Sequence, residues 1–232
     1  MNLVMFDIDG TLVEWNPVFD DLYVEAVKEY LNIPEVDTNW KRYRNSTDSD
    51  ITAQIIEENL ERPATTEDIK IIRNSYVKKV QSLTLDNPDY FHEIAGAGEI
   101  LTELINLPDI NLAIATGNWE ETSLIKLKMN NLFFPELTIA TASDALSRDG
   151  IMKKAEERVK QKFQNTSINS IVYIGDAVWD IRASVKNDYH FIGIATGEKV
   201  AQFRNEGAKW IIPDNSDKEK FFSILKEIWN TS

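Results

Sequence analysis

Six short apolar runs constrain this chain more than any other feature: 3–6 (LVMF), 111–115 (NLAIA), 137–140 (LTIA), 171–174 (IVYI), 191–195 (FIGIA) and 210–212 (WII). They are rich in Val, Ile, Leu and Phe and lack strict apolar–polar alternation, the pattern of strands covered on both faces. Between them lie stretches of helical character, about 94–107, 119–130, 148–163, 178–187, 198–206 and 217–229. Strand and helix in repeated alternation imply an α/β fold, a Rossmann-like parallel sheet flanked by crossover helices. Residues 16–88 break the alternation. They offer no strand, and apolar residues fall at helical spacing after Pro17 (Val18, Phe19, Leu22), after Asp50 (Ile51, Ile55) and after Thr66 (Ile69, Ile72, Tyr76). Pro34, Pro63 and Pro88 punctuate this block. The expected organisation is an α/β core domain from residues 1–15 and 89–232, with a helical domain over 16–88 inserted after the first strand.

With 232 residues and 43% hydrophobic side chains, the chain can bury such a core. Charge then narrows its partners. Twenty-five Lys and Arg against 38 Asp and Glu leave a net −13, which repels phosphate backbones, so no nucleic-acid partner is expected. The absence of cysteine removes disulfides, thiolate zinc sites and cysteine nucleophiles together. Only His92 and His190 supply imidazoles, and both read as structural, so the chemistry must run mainly on carboxylates. The run LVMF stops at Asp7, too short for a signal segment or a spanning helix, so a cytoplasmic location and no membrane partner are expected.

Three of the strand runs end in polar, glycine-containing turns, where open parallel sheets bind their ligands. The first turn is Asp7-Ile8-Asp9-Gly10-Thr11. Period two puts Asp7 and Asp9 on one side, and two such carboxylates repel unless a cation or shared proton intervenes. A solvated acidic turn is the plainer alternative. A calcium loop is excluded, because its first and last positions would be Met5 and Asn16. The second turn, Thr116-Gly117-Asn118, offers a hydroxyl and backbone N–H groups suited to a phosphate oxygen, although an ordinary strand-to-helix turn reads the same way. The third is Gly175 to Asp180, in which a helix would bring Asp176 and Asp180 onto one face. What raises these above ordinary turns is their coincidence at three strand ends. A hard cation such as Mg²⁺ takes oxygen ligands from one or two carboxylates plus phosphate and water.

In this ordered set, D-x-D-G-T at Asp7, a strand ending in T-G-N at Thr116, and G-D-x-x-x-D from Gly175, the chain resembles the haloacid dehalogenase-like (HAD) superfamily of aspartate-nucleophile hydrolases. The resemblance covers essentially the whole chain. The helical insert resembles the subclass I cap, as in phosphoglycolate-phosphatase-like enzymes. It implies a Mg²⁺-dependent phosphatase acting on a small phosphorylated metabolite. Asp7 would be the nucleophile and Asp9 the general acid/base, with Thr116, Gly117 and Asn118 on the phosphoryl group. The metal would be held by Asp7, the Asp9 backbone carbonyl, Asp176 and Asp180. The family's basic residue near the start of a later helix falls nearest Arg148, with Lys153 as the rival. Arg42 and Arg44, in the basic run 41–44, are expected to meet an anionic far end of the substrate. A phosphosugar mutase of the same superfamily and a non-catalytic binding module are the alternatives. A 2-haloacid dehalogenase fits less well, since that branch lacks the second aspartate of D-x-D.

Overall fold

In the computed structural model, which describes residues 1–164 and 167–231, every one of the six apolar runs enters a single parallel sheet. Its strands are β1 (Asn2–Phe6), β2 (Ile110–Ala115), β3 (Thr138–Ala140), β4 (Ser170–Gly175), β5 (His190–Ile194) and β6 (Trp210–Ile212). Their spatial order is β3-β2-β1-β4-β5-β6. The chain thus winds outward from β1 to one side through β2 and β3, and to the other through β4, β5 and β6. That reversal makes β1 the switch point, and the crevice beyond its carboxyl end is the natural ligand site of such a sheet. Register fixes the neighbours there: Phe6 is opposite Ile114 on β2 and Ile174 on β4, so the turns after these three strands emerge side by side.

The period-two geometry of the strands builds two cores. Leu3, Met5, Ala113 and Tyr173 face one side, with Ile151, Met152, Ala155 and Val159 of α6 (Arg148–Lys162) and Ile181 of α7 (Val178–Asn187). Val4, Phe6, Ile114 and Ile174 face the other. There they meet Ile100, Leu101 and Leu104 of α4 (Ala97–Ile105), Leu127 of α5 (Glu120–Met129) and Phe221 and Leu225 of α9 (Lys218–Thr231). The short α8 (Glu198–Asn205) adds Phe203 to the first core.

The insert consists of α1 (Pro17–Leu31), α2 (Asp48–Leu60) and α3 (Thr66–Asp86), whose apolar faces continue the first core. Asn16 caps α1, its side chain accepting from the Val18 N–H, and Pro17 occupies the first turn as expected. Two starts differ from the sequence reading. The α2 helix is capped by Thr47, so Asp50 lies within the first turn, and α3 is capped by Thr65, which forms a reciprocal box with Asp68. In both cases the hydroxyl that caps the helix stands before the acidic residues that precede the apolar pattern. The two linkers of the insert run antiparallel, with Glu14 N–H donating to His92 O at 2.8 Å and Ile94 N–H to Leu12 O at 2.9 Å.

Gly96, at the end of the second linker, is closely packed. Its φ of 81° is left-handed, and a Cβ added there would lie 2.4 Å from the Asn215 carbonyl oxygen. Asn215 donates its backbone N–H to Ala95 O and its side-chain N–H to Thr11 O, both at 2.9 Å, so the backbone cannot easily retreat. Gly96→Ala should therefore destabilise the fold by about 1–3 kcal/mol, through left-handed strain and a backbone clash together. Urea unfolding checks this, since a freely bending junction would tolerate the methyl group.

Candidate active site

The crevice beyond β1 gathers the acids of two motifs. Asp7, Asp176 and Asp180 each place a carboxylate oxygen so that the three lie within 4.8 Å of one another. Gly10 permits this: its φ is 69°, and a Cβ there would fall 2.3 Å from Asp176 Oδ2. Asp7 is held at both oxygens, Oδ1 accepting from Ile8 N–H at 2.8 Å and Oδ2 from Arg148 Nη1 at 2.9 Å. Asp180 is fully buried, with one oxygen accepting from Ala177 N–H at 3.1 Å and the other 3.5 Å from Arg148 Nε. Burial pushes its carboxyl well above the usual carboxylate range, against the opposing pull of Arg148. Asp176 is raised by burial too, countered by Lys199, whose Nζ lies 2.6 Å from Oδ2.

Arg148, not Lys153, meets Asp7. It is 8% exposed and opens α6, where Ser147 supplies the helix cap by accepting from Gly150 N–H. Burial alone would weaken its charge, but Asp7 and Asp180 hold the guanidinium firmly protonated. Nη2 also donates to Ser46 O at 3.0 Å, tying the insert to the centre of the site. Lys153 lies on the outer part of α6, paired with Glu156 at 3.0 Å.

The second motif is arranged differently from its sequence reading. Thr116 is fully buried, and its hydroxyl oxygen accepts from Asn118 N–H and Nδ2–H at 3.4 and 3.3 Å. It is Asn118 that lines the cavity, donating from Nδ2 to Asp9 Oδ2 at 2.9 Å. The Gly117 carbonyl accepts from Asp48 N–H of the insert at 2.8 Å. Arg42 is tied at the surface of the insert to Glu58 at 2.5 Å and Asp37 at 2.7 Å. Arg44 pairs with Glu57 and Asp50 and lines an adjoining groove of about 710 Å³ that reaches Ser46 and Arg148. His190 opens β5 and packs its ring on Trp210, while His92 contributes a carbonyl to the linker pair. Trp179 lines the cavity, and its Nε1 is buried without a hydrogen-bond partner.

Two further residues carry no motif. Lys126, 2% exposed on α5, sends its ammonium to Asp9 Oδ1 and Oδ2 at 2.8 and 2.6 Å and to Asn118 Oδ1 at 2.7 Å. Lys126 stands on α5, the helix that follows the turn bearing Asn118, and that proximity in sequence is the only trace of the contact. Asp48 accepts from Trp119 N–H at 2.8 Å. Around these groups the insert and the sheet enclose a cavity of about 500 Å³.

A haloacid dehalogenase-like hydrolase family model matches residues 4–194, and the chain belongs to that family. No curated protein is similar enough in sequence to count as a match. Among solved structures, a hydrolase from Pseudomonas syringae shares 22% identity over 98% of this chain and 99% of its own, with a TM-score of 0.69. A HAD hydrolase, family IA, variant 3, from Entamoeba histolytica shares 19% over 97% and 100%, with a TM-score of 0.71. CbbY from Rhodobacter sphaeroides, in complex with phosphate, shares 17% over 93% and 95%, with a TM-score of 0.65. The fold of the whole chain is theirs. No helix among the described residues is long and apolar enough to cross a membrane.

Asp48 makes the electrostatics testable. Burial, only partly offset by the Trp119 N–H, pushes its carboxyl up from 3.8 to about 7. Between those values the folded chain holds a proton that the unfolded chain has released, so stability falls as pH rises through that window. Asp48→Asn keeps an acceptor for Trp119 without the charge. It should gain about 1–2 kcal/mol over the parent near pH 8 and almost nothing near pH 4, as read by urea unfolding at the two values.

Proposed function

We propose that this hydrolase is a Mg²⁺-dependent phosphatase that cleaves small phosphorylated metabolites through an aspartyl phosphate on Asp7. The observation that carries the reading is the meeting of Asp7, Arg148 and the Asp176–Asp180 pair at the switch point of the sheet. The donor set fits a hard divalent cation. It is all oxygen, Asp180 Oδ1 is buried without a hydrogen-bond partner, and Gly10 leaves Asp176 room to approach. Asp7, Asp176 and Asp180 would hold the ion, with the Asp9 backbone carbonyl beside them. When bound, Mg²⁺ lowers the repulsion between the Asp7 carboxylate and an anionic phosphoryl group.

An Asp7 oxygen attacks phosphorus, the P–O bond to the leaving alcohol breaks, and the phosphoryl group passes to Asp7. Asp9 gives the departing oxygen its proton, then takes one from the water that opens the acyl phosphate. For the first step its side chain must turn from Lys126 and Asn118 toward the leaving oxygen. Arg148 keeps Asp7 in place and adds positive charge beside the transferring group. The helical insert serves as the cap domain, residues 16–88, closing the cavity over the phosphoryl site and excluding water. The phosphate seen with CbbY, a protein of the same fold, is in keeping with this reading.

Asp7→Asn should lower kcat for p-nitrophenyl phosphate by at least ~10³-fold, about 4 kcal/mol of transition-state stabilisation, and excess EDTA should abolish parent activity until Mg²⁺ is restored. Phosphate release measured with and without chelator decides this, and full activity under EDTA would sink it. Asp9→Asn should slow alkyl phosphates far more than aryl phosphates, whose leaving groups need little protonation. Equal losses on both classes would assign Asp9 a structural part only.

A further inference from the structure

Resting on the phosphatase reading, we infer that the leaving group of the substrate is cationic: the cavity is built for the phosphate ester of an amino alcohol. The argument begins with a count of donors. Three cations line the cavity, and each is already committed to a carboxylate of the sheet side. Arg148 is on Asp7 at 2.9 Å, Lys126 on Asp9 at 2.6 Å and Lys199 on Asp176 at 2.6 Å. An ammonium has three N–H donors. All three of Lys126 are taken up by Asp9 Oδ1, Asp9 Oδ2 and Asn118 Oδ1 as long as Asp9 faces it, so a second anionic group would compete with Asp9 for them.

The insert side of the cavity has the opposite character. Among the described residues it contributes no Lys or Arg to the lining, but it does contribute Asp20 and Asp48, neither of which is in an ion pair. The polar partners of these acids are N–H groups of tryptophan: Trp40 Nε1 donates to Asp20 Oδ2 at 2.8 Å, and Trp119 N to Asp48 Oδ2 at 2.8 Å. Around them stand the rings of Tyr23, Trp40 and Tyr76, with Tyr23 at 5.8 Å from Trp40 and 5.7 Å from Tyr76, both edge-on. Aromatic faces backed by carboxylates attract an ammonium strongly and gain nothing from an anion. The same cavity already holds one such arrangement in its own chain. The Lys126 ammonium, paired with Asp9, lies 4.6 Å from the centre of the Phe19 ring.

A second carboxylate on the substrate, as in phosphoglycolate, would face Asp20 and Asp48 with no cation on the insert wall to receive it. Arg42 and Arg44, expected to take an anionic far end, are committed to Asp37, Glu58, Glu57 and Asp50, and neither lines this cavity. A volume of about 500 Å³ accommodates a small ester of the amino-alcohol class.

The test compares three esters of nearly equal size near pH 8, above the range to which burial pushes Asp48, on the full-length protein with Mg²⁺: ethanolamine phosphate, its neutral hydroxyethyl counterpart, and phosphoglycolate. p-Nitrophenyl phosphate serves as the independent report of phosphatase chemistry. The expected kcat/KM for ethanolamine phosphate is at least ~10-fold above the neutral ester and ~100-fold above phosphoglycolate. In Asp20→Asn, which keeps an acceptor for Trp40, and in Asp48→Asn, the ratio of amine ester to neutral ester should fall toward one. Hydrolysis of p-nitrophenyl phosphate without a preference for the amine ester, or with a preference for phosphoglycolate, overturns this inference and leaves the phosphatase reading standing. An amine preference that survives in both variants also overturns it. No hydrolysis of any of the four overturns both.

Discussion

Three carboxylates with oxygens inside 4.8 Å of one another repel by about 3 kcal/mol or more for each charged pair at an effective dielectric near 20. The surroundings of Asp7, Asp176 and Asp180 answer that repulsion by several routes. Arg148 stands between Asp7 and Asp180 and brings a charge that cannot be titrated away. Lys199 balances Asp176 from the rim, and Asp180, fully buried, is driven toward its protonated form. Breaking one member of such a buried set leaves the others uncompensated, which costs more than the interaction itself contributes. The sheet must therefore hold these groups rigidly. It does so through β1, whose neighbours on both sides are central strands with fully buried residues at the turn ends.

The insert is coupled to the same charges. Ser46 O receives the second arm of Arg148, and Thr47, Asp48 and Ser49 reach across to Leu146, Gly117 and Ala142. These contacts are hydrogen bonds of a short segment at the start of α2, whereas the apolar face of the insert is contiguous with the first core. One residue links the two: Trp119 follows the second motif, donates its ring N–H to Ser49 and packs on Tyr23 and Tyr76. The insert wall of the cavity is thus positioned by the same turn that fixes Asn118 and, through it, Asp9.

Much of this was readable from the chain. Strands buried on both faces write themselves as unbroken apolar runs, so all six were visible, and the three acidic or hydroxyl-bearing turns stood at their ends. The helical insert was visible for the converse reason, since its apolar residues recur at helical and never at strand spacing. What the sequence could not display was pairing across distance. Lys126 looks like one of several basic residues on an otherwise mixed helix, and only folding reveals that its ammonium is buried against Asp9, 117 positions away. Asp20 and Asp48 are unremarkable acids near helix starts, and their significance depends on which tryptophan N–H they meet. Arg148 was preferred over Lys153 by its position at a helix start, and burial on the sheet side is the physical reason it alone reaches Asp7. Helix starts at Thr47 and Thr65 were misplaced because the apolar pattern begins a turn after the hydroxyl that caps it.

The central place of β1 also has a consequence for how the chain comes to be folded. Asn2 pairs with Ile110 on one side and Ser170 on the other, so β1 has no partner until more than a hundred further residues have been made, and lacks its second until β4 emerges. At synthesis rates of ~5–20 residues per second, the run Leu3-Val4-Met5-Phe6 waits roughly ten seconds or longer for its second neighbour. Contacts of such long sequence separation are slow to form, and an unpaired apolar strand is the kind of segment through which chains associate wrongly. The residues that follow it are Asp7 and Asp9, and the chain as a whole carries a net charge of −13. Until β4 emerges, the carboxylates of the first turn stand next to the strand most exposed to misassociation, where their repulsion keeps neighbouring chains apart.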